Sequence, residues 1–459
     1  MTVTRLKLFC AAAAAAIAFC GEASAEAEKG MLEDALAAAY QGNPSLKAER
    51  ANLRIVDEGE SAAWSFVRPQ ISANANYTYT HLNRESPFQS LNSQREQQLG
   101  SVYAGFTVQQ PLMQGMRNVN AIRKARADVR AERARLVDAE QKLLTATTEA
   151  YVDVRVEKAV LELNRNNARV LETALAYAQG RFKLQSATRT DVAQAEARLA
   201  KARADVIAAE ARYESARARF AEQTGAPPPD ALAEPRPLAT MPKSEEDAQD
   251  LAVQHAPAVL VAQATEQASK RAVGVAKGEL APKIVAEAGY SYAQDQTFEG
   301  DRSRSYYAGL RATVPLYDGG LTHARVRQAK QTLQRDQYLT AQTLRALQTD
   351  IREAWVAHQA ASAAARAAAA EVAASEVAAE GVRKENVAGR RTTLDVLNAE
   401  QELLNARTSE LRAGRDAYVA GIRLLAAAGL YTAETIGLDV ERYDPKRYRK
   451  RATLGAVGI

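Results

Sequence analysis

The sequence predicts a mainly α-helical, internally duplicated chain that also carries four membrane-type β-strands. Composition is the first reason. Of 459 residues, 97 are alanine, 25% are charged and 6% are aromatic, which favours close-packed helices over one thick globular core. The second reason is four short segments whose apolar and polar residues alternate with the period of a strand that has unlike faces. The third is a repeat: from Pro111 and Pro315 through Asp191 and Asp395, the landmarks of the first half recur at a constant offset of 204 residues.

At the N-terminus, Arg5 and Lys7 precede an apolar run from Leu8 to Cys20, and Ala23-Ser24-Ala25 offers a cleavage site. Residues 1–25 therefore read as a secretory signal peptide, with the mature chain starting near Glu26. Cys10 and Cys20 then leave with the signal, so stability rests on packing and assembly. A lipoprotein anchored at Cys20 is the rival reading, disfavoured by the bulky Phe19 before it. The remaining 58 basic and 54 acidic residues leave a mild net charge of +4, which does not point to nucleic acid.

Residues 26–225 read as a first structural repeat, 226–246 as a linker rich in proline from Pro227 to Pro242, 247–430 as a second repeat, and 431–459 as a flexible tail. Amphipathic helical patterns run from Met31 to about Val67, Gln114 to Leu184 and Thr190 to Glu222, then again from Asp247 to Leu280, Gly319 to Ala388 and Thr392 to Ala428. A helix of about 70 residues is about 105 Å long, so it forms a rod, and the two shorter helices of each half add up to the same length beside it. Alanine-rich faces such as Ala363 to Ala379 and Ala193 to Ala211 let such rods approach closely.

The expected strands are 69–80 and 101–110 in the first half, and 283–293 and 305–315 in the second. Ile71, Ala73, Ala75, Tyr77 and Tyr79 share one face, as do Val102, Ala104, Phe106 and Val108. In the second pair, Ile284, Ala286, Ala288, Tyr290 and Tyr292 match Tyr306, Ala308, Leu310, Ala312 and Val314. Each segment is near the 9 to 11 residues of a tilted membrane strand, and Tyr77, Tyr79, Tyr290 and Tyr292 suit an interfacial aromatic girdle. Polar loops, His81 to Gly100 and Gln294 to Ser303, join the pairs. A small soluble sheet with one wet face fits the alternation equally well, and the export signal and the rods tilt the balance toward a membrane. Four strands cannot close a barrel, so spanning strands require oligomerisation; two chains supply eight strands and three supply twelve.

These features together resemble the TolC-like outer membrane efflux proteins. The resemblance covers the mature chain to about Leu430 and rests on Asn43-Pro44, Arg68-Pro69, Gln110-Pro111-Leu112, Val314-Pro315-Leu316-Tyr317-Asp318-Gly319-Gly320, and Ala388-Gly389-Arg390-Arg391-Thr392-Thr393-Leu394-Asp395-Val396-Leu397. It implies a homotrimer with a 12-stranded outer membrane barrel in lipid, continued by a periplasmic α-helical tunnel. Such a duct is passive and gated, and serves a tripartite efflux or type I secretion system with a periplasmic adaptor and an inner-membrane transporter. The linker then lies at the equator of the tunnel. A periplasmic coiled-coil adaptor or poreless stalk is the alternative, but the sequence has no lipoyl-like or β-barrel domain between helical arms.

Two hairpin tips follow from the helix ends. Gly389 and Arg390 mark one and Gln185 and Ser186 the other, and the resemblance makes them adaptor-contacting ends. The first tip lacks the glycine usual in the family. Asp191 and Asp395 fall in the first turn of a returning helix, where hydroxyls and carboxylates satisfy free N–H groups. The resemblance adds a second role: Asp395 as a carboxylate ring at the pore constriction, with Asn398 standing where relatives often have another acid. It also implies gate links from Arg391 to Thr190 and from Asn386, in place of a tyrosine, to Asp191.

No enzyme or cofactor is suggested. His81, His255, His323 and His358 share no metal-ligand spacing, and no phosphate loop, nucleophile elbow or triad pattern is visible. Trp64 and Trp355 read as packing residues, and the basic run Lys446 to Arg451 as a solvated tail.

Overall fold

The computed structural model describes residues 31–83, 96–238, 241–297 and 299–454. The expected signal peptide, Cys20 and most of the first inter-strand loop lie outside the described residues. The elements run α1 (Leu32–Gly42), α2 (Pro44–Ser65), β1 (Gln70–Asn83), β2 (Glu96–Gln114), α3 (Arg117–Lys183), α4 (Arg189–Thr224), α5 (Glu245–His255), α6 (Pro257–Gly278), β3 (Lys283–Gln294), β4 (Arg302–Thr313), α7 (Leu321–Val387), α8 (Thr393–Ala427) and α9 (Pro445–Leu454).

Two helices expected as continuous are broken. Pro44 and Pro257 each open a new helix, and the residue before each is extended, with ψ 125° at Asn43 and 121° at Ala256. Asn43 secures its break by accepting from the Ser45 N–H at 2.9 Å while its own amide donates to the Gln223 carbonyl at 3.0 Å. The long helices α3 and α7 are 67 residues each, about 100 Å at 1.5 Å per residue.

The chain divides into two compact units. One comprises Ala48–Asp138, Gln254–Leu347 and Tyr443–Ile459. It contains an antiparallel sheet in the order β1-β2-β3-β4, so the hairpin of each repeat joins the other through β2 and β3. Register aligns the apolar positions of all four strands on one face. Ile71 lies opposite Val108, which lies opposite Ala288 and then Ala308; the next row is Ala73, Phe106, Tyr290 and Tyr306. The other face carries Ser72, Thr107 and Gly289, then Asn74, Gly105, Ser291 and Ser305. β2 extends past the end of β1 to Gln114, with a register shift between Pro111 and Met113, where a residue lacking an N–H is tolerated.

From strand to helix the backbone turns through two left-handed residues in each repeat: Gly115 and Met116, then Gly319 and Gly320. Gly115 is also closely approached, since a Cβ there would sit 2.2 Å from that of Ala281 and 2.7 Å from the Gly278 carbonyl oxygen.

The C-terminal segment of this unit is a correction to the expected solvated tail. Arg449 of α9 grips the buried carboxylate of Glu60 through Nε at 2.7 Å and Nη2 at 3.2 Å, and Arg126 of α3 holds the same carboxylate at 2.8 Å. Burial pushes the Glu60 carboxyl up, but the two guanidinium groups outweigh it and hold it below the usual range. Tyr448 donates to Glu58 at 2.8 Å, and Arg50 lies 5.4 Å from the Tyr443 ring centroid. Trp64 packs as expected, with the Arg126 guanidinium 5.8 Å from its ring centroid.

The other unit comprises Met1–Lys47, Ala139–Val253 and Gln348–Arg442. Its proline-rich stretch is strapped to the helices by carbonyl groups: Tyr151 donates to Ala233 at 2.7 Å, Tyr418 to Arg236 at 3.3 Å, and Lys158 to Asp230. Residues beyond α8 also pack here rather than trailing into solvent. Tyr431 is buried with its hydroxyl 2.6 Å from that of Thr148, and the Ala433 N–H donates to Glu140 at 2.7 Å.

The α9 clamp is testable by denaturant unfolding. Arg449→Ala leaves buried Glu60 with Arg126 as its guanidinium partner and lowers stability by about 1–3 kcal/mol, whereas Tyr448→Phe, which removes an exposed hydrogen bond, changes it by under about 0.5 kcal/mol.

Candidate functional site

The helical hairpin ends are built from local backbone chemistry. α7 closes in a Schellman turn: the Gly389 N–H donates to Asn386 O and the Arg390 N–H to Glu385 O, each at 2.9 Å, with Gly389 at φ 74°. α3 closes identically, with Gln185 N–H to Phe182 O and Ser186 N–H to Arg181 O, each at 2.9 Å. Gln185, at the position equivalent to Gly389, is forced to φ 57° with a full side chain. Arg181 compensates by donating to the Ser186 carbonyl at 2.9 Å while the Ser186 hydroxyl donates to the Arg181 carbonyl at 3.0 Å.

Each returning helix then opens with a capping box. In α4 the cap is Thr188: its hydroxyl accepts from the Asp191 N–H at 3.1 Å, and its own N–H donates to the Asp191 carboxylate at 2.8 Å. In α8 Thr392 and Asp395 do the same at 3.2 and 2.9 Å. The backbone hydrogen bonds from Thr188 and Thr392, helped by their hydroxyls, hold both aspartates below the usual carboxylate range. Thr-x-x-Asp is legible in the sequence at both sites.

Within the chain, Arg391 and Asn386, expected as gate links to Thr190 and Asp191, make contacts inside their own turn. Arg391 pairs with Glu385 at 2.9 Å, and the Asn386 amide donates to the Arg391 carbonyl at 2.8 Å. Thr190 is exposed, as are Gln185, Ser186, Gly389 and Arg390. Asn398 accepts a hydrogen bond from Arg198 of α4 at 2.6 Å. Sequence reading missed Arg198, because nothing in a helical pattern tells one solvent-side arginine from another.

On the sheet, Tyr290 lies between Phe106 and Tyr306, with ring centroids 5.9 and 4.8 Å away. Tyr292 falls in the next row with Ala75 and Ala104, and Tyr77 in the row beyond with Val102. Tyr79 follows opposite Gly100 and donates to Gln98 at 2.8 Å. The four tyrosines share one face of the sheet, Tyr77 and Tyr79 on β1 and Tyr290 and Tyr292 on β3, with Arg304 opposite Tyr292. Among the described residues, no His, Cys, Asp and Glu cluster suits a metal ion, and no helix is long and apolar enough to cross a membrane.

The family model "Outer membrane efflux protein" matches residues 35–226 and 249–430, on either side of the proline-rich stretch. The chain belongs to this family. It is 31% identical over 422 residues to the outer membrane efflux protein BepC of Brucella suis, covering 91% of this chain and 90% of that protein. It is 26% identical over 366 residues to the alkaline protease secretion protein AprF of Pseudomonas aeruginosa, covering 77% and 76%. The fold matches the CmeC outer membrane channel of Campylobacter jejuni with a TM-score of 0.78 at 14% identity, over 93% of this chain and 90% of that one. As an outer membrane efflux protein, the chain is an exit duct located in the outer membrane, and its family is one of channel and transport proteins.

Gln185→Gly relieves the left-handed strain and raises stability by about 1 kcal/mol, while Gly389→Gln lowers it by a similar amount, both read by thermal unfolding. Because the folded pKa values of Asp191 and Asp395 are depressed, the stability they contribute is present above their ordinary value of 3.8 and is lost as pH falls through the folded value. Asp395→Asn therefore lowers the melting temperature at pH 7, and the gap to the parent closes below about pH 4.

Proposed function

We propose that three copies of this chain close their sheets into one 12-stranded outer membrane barrel, continued by a periplasmic helical tunnel through which cargo leaves the cell. The observation that carries this reading is the sheet itself. Its apolar face leaves Ile71, Leu310 and Tyr306 more than two-thirds exposed, at 73, 72 and 77%, while β1 and β4 each pair with one strand in the chain and keep an outer edge. Lipid covers such a face and neighbouring copies pair such edges. β3 and β4, at 12 residues each, are about 40 Å long, and a tilt of about 45° brings their rise to about 28 Å, close to the hydrocarbon thickness. Three copies is the number implied by the TolC-like resemblance.

In this assembly the tips bearing Gly389, Arg390, Gln185 and Ser186 face a periplasmic adaptor, which couples the duct to an inner-membrane transporter. Asp395, ionised at neutral pH, contributes one carboxylate per subunit to the constriction, and a ring of carboxylates at a narrow point favours cations. Asn398 supplies no second charge. The girdle of Tyr77, Tyr79, Tyr290 and Tyr292 holds the barrel at the lipid interface. Export is driven by the transporter, since the duct itself provides only passage and a gate.

Purified protein in planar bilayers under a salt gradient tests this directly. Discrete steps with a reversal potential favouring cations are expected, and Asp395→Ala raises the conductance or weakens the cation preference. Inserted protein without steps in either form counts against the duct, and unchanged values for Asp395→Ala reduce that residue to a helix cap.

A further inference from the structure

We propose that α9 presents a basic surface that binds anionic phospholipid headgroups of the periplasm-facing leaflet, beside the foot of the sheet. This rests on the exit-duct reading, which sets the junctions between helices and strands at that leaflet. The docking of α9 on α2 fixes its direction. Tyr443, just before α9, lies by Arg50, whose guanidinium is 5.4 Å from the ring centroid. Further along, Tyr448 reaches Glu58 at 2.8 Å and Arg449 reaches Glu60 at 2.7 Å. The segment therefore climbs α2 in the direction in which α2 itself leads into β1 at Gln70. Glu60 precedes the end of α2 at Ser65 by about 8 Å, and Arg449 precedes the end of α9 at Leu454 by about the same rise, so the two helices end nearly level. Phe66, the first residue past α2, is exposed there, as suits the entry to an interface.

α9 divides into a side engaged with the protein and a side left positive. On the engaged side, Arg449 joins Arg126 in neutralising Glu60, and buried Asp57 is offset by Arg133 and Arg449. On the other side Lys446 and Arg447 are exposed, and among the described residues neither side chain pairs with a carboxylate. The helical period places positions 450 and 451, a lysine and an arginine, on the same side as 446 and 447. Four cationic positions thus follow one another up about one and a half turns, beside acids that already have partners. Electrostatic attraction to a lipid surface reaches about one Debye length, about 8 Å at physiological salt. Positions 450 and 451, in the part of α9 that ends level with α2, come nearest to that range. The first repeat has no such element, since the chain there passes from α4 into the proline-rich stretch. Each subunit therefore adds one basic patch at the foot of the barrel, where anionic headgroups are the complementary charge.

Electron paramagnetic resonance of spin-labelled lipids tests this on the full-length protein reconstituted in phosphatidylcholine vesicles. Labelled phosphatidylglycerol is compared with labelled phosphatidylcholine, and oligomer integrity, channel activity and melting temperature are measured in parallel. The parent is expected to prefer phosphatidylglycerol by about threefold or more at about 0.05 M salt, and to approach parity at about 0.5 M. A variant combining Lys446→Gln, Arg447→Gln, Lys450→Gln and Arg451→Gln is expected to lose at least about half of that preference, with channels and melting temperature unchanged. Arg447→Lys with Arg451→Lys is expected to keep the preference, because charge rather than guanidinium shape is recognised. If the fourfold variant unfolds, Lys446→Gln with Arg447→Gln carries the same test, and an unchanged preference there overturns the proposal. Parity in the parent, or equal preference in parent and fourfold variant even where the variant loses binding to peptidoglycan sacculi, overturns the headgroup site and leaves the duct in place. A parent that inserts without conducting overturns the duct reading, and the placement of α9 at the leaflet falls with it.

Discussion

An open sheet edge in hydrocarbon leaves N–H and C=O groups without partners at a cost of several kcal/mol each, and the organisation of this chain answers that constraint. The strands β1 to β4 align one largely apolar and one largely polar face, so the sheet suits a boundary between lipid and water. Four strands are too few to close on themselves. Closure must come from further copies, and the duplicated chain supplies each copy with two equivalent hairpins to contribute. A register shift at Pro111 and paired left-handed residues after β2 and before α7 then convert a strand into the start of a long helix.

Helices as long as α3 and α7 cannot rest on propensity alone, because an alanine-rich helix in water gains most of its stability from a packed partner. The partners are α4 and α8, and the ion pairs that staple each hairpin repeat across the duplication. Individually such exposed pairs contribute little. Their value lies in register: they keep a small-residue interface aligned along many turns. The band of carbonyl contacts from Tyr151, Tyr418 and Lys158 to the proline-rich stretch ties the helices at the other end of that unit.

The hairpin ends show one backbone solution executed with two different residues. Gly389 adopts its left-handed turn freely, and Gln185 adopts the same turn only because the Schellman hydrogen bonds and the Arg181–Ser186 contacts hold it. The capping boxes that follow place a carboxylate at the start of each returning helix, where the backbone N–H and hydroxyl of Thr188 or Thr392 hold Asp191 and Asp395 below the usual carboxylate range. A cap and a charged constriction are compatible roles for Asp395, since the cap fixes the carboxylate in place and lowers the pH at which it would lose its charge.

Period and spacing made much of this legible. Alternation at Ile71 to Tyr79 and Ile284 to Tyr292 marks strands with unlike faces because side-chain direction in a strand is purely local, and Thr-x-x-Asp marks the caps because a cap is a four-residue interaction. The breaks at Pro44 and Pro257 are also written locally, although a reading by helical period alone runs through them. Other features depend on residues distant in sequence meeting in space. The packing of α9 requires Arg449 to find Glu60, buried by its own surroundings, so a basic run that reads as solvated becomes a clamp. The pairing of Arg198 with Asn398 is likewise set by which helices lie side by side. The sequence by itself determined the duplication, the strand faces, the caps and the family, all of which follow from local periodicity and motif; only the tertiary structure decided which charged groups pair, because pairing is a choice among many equivalent side chains made by proximity.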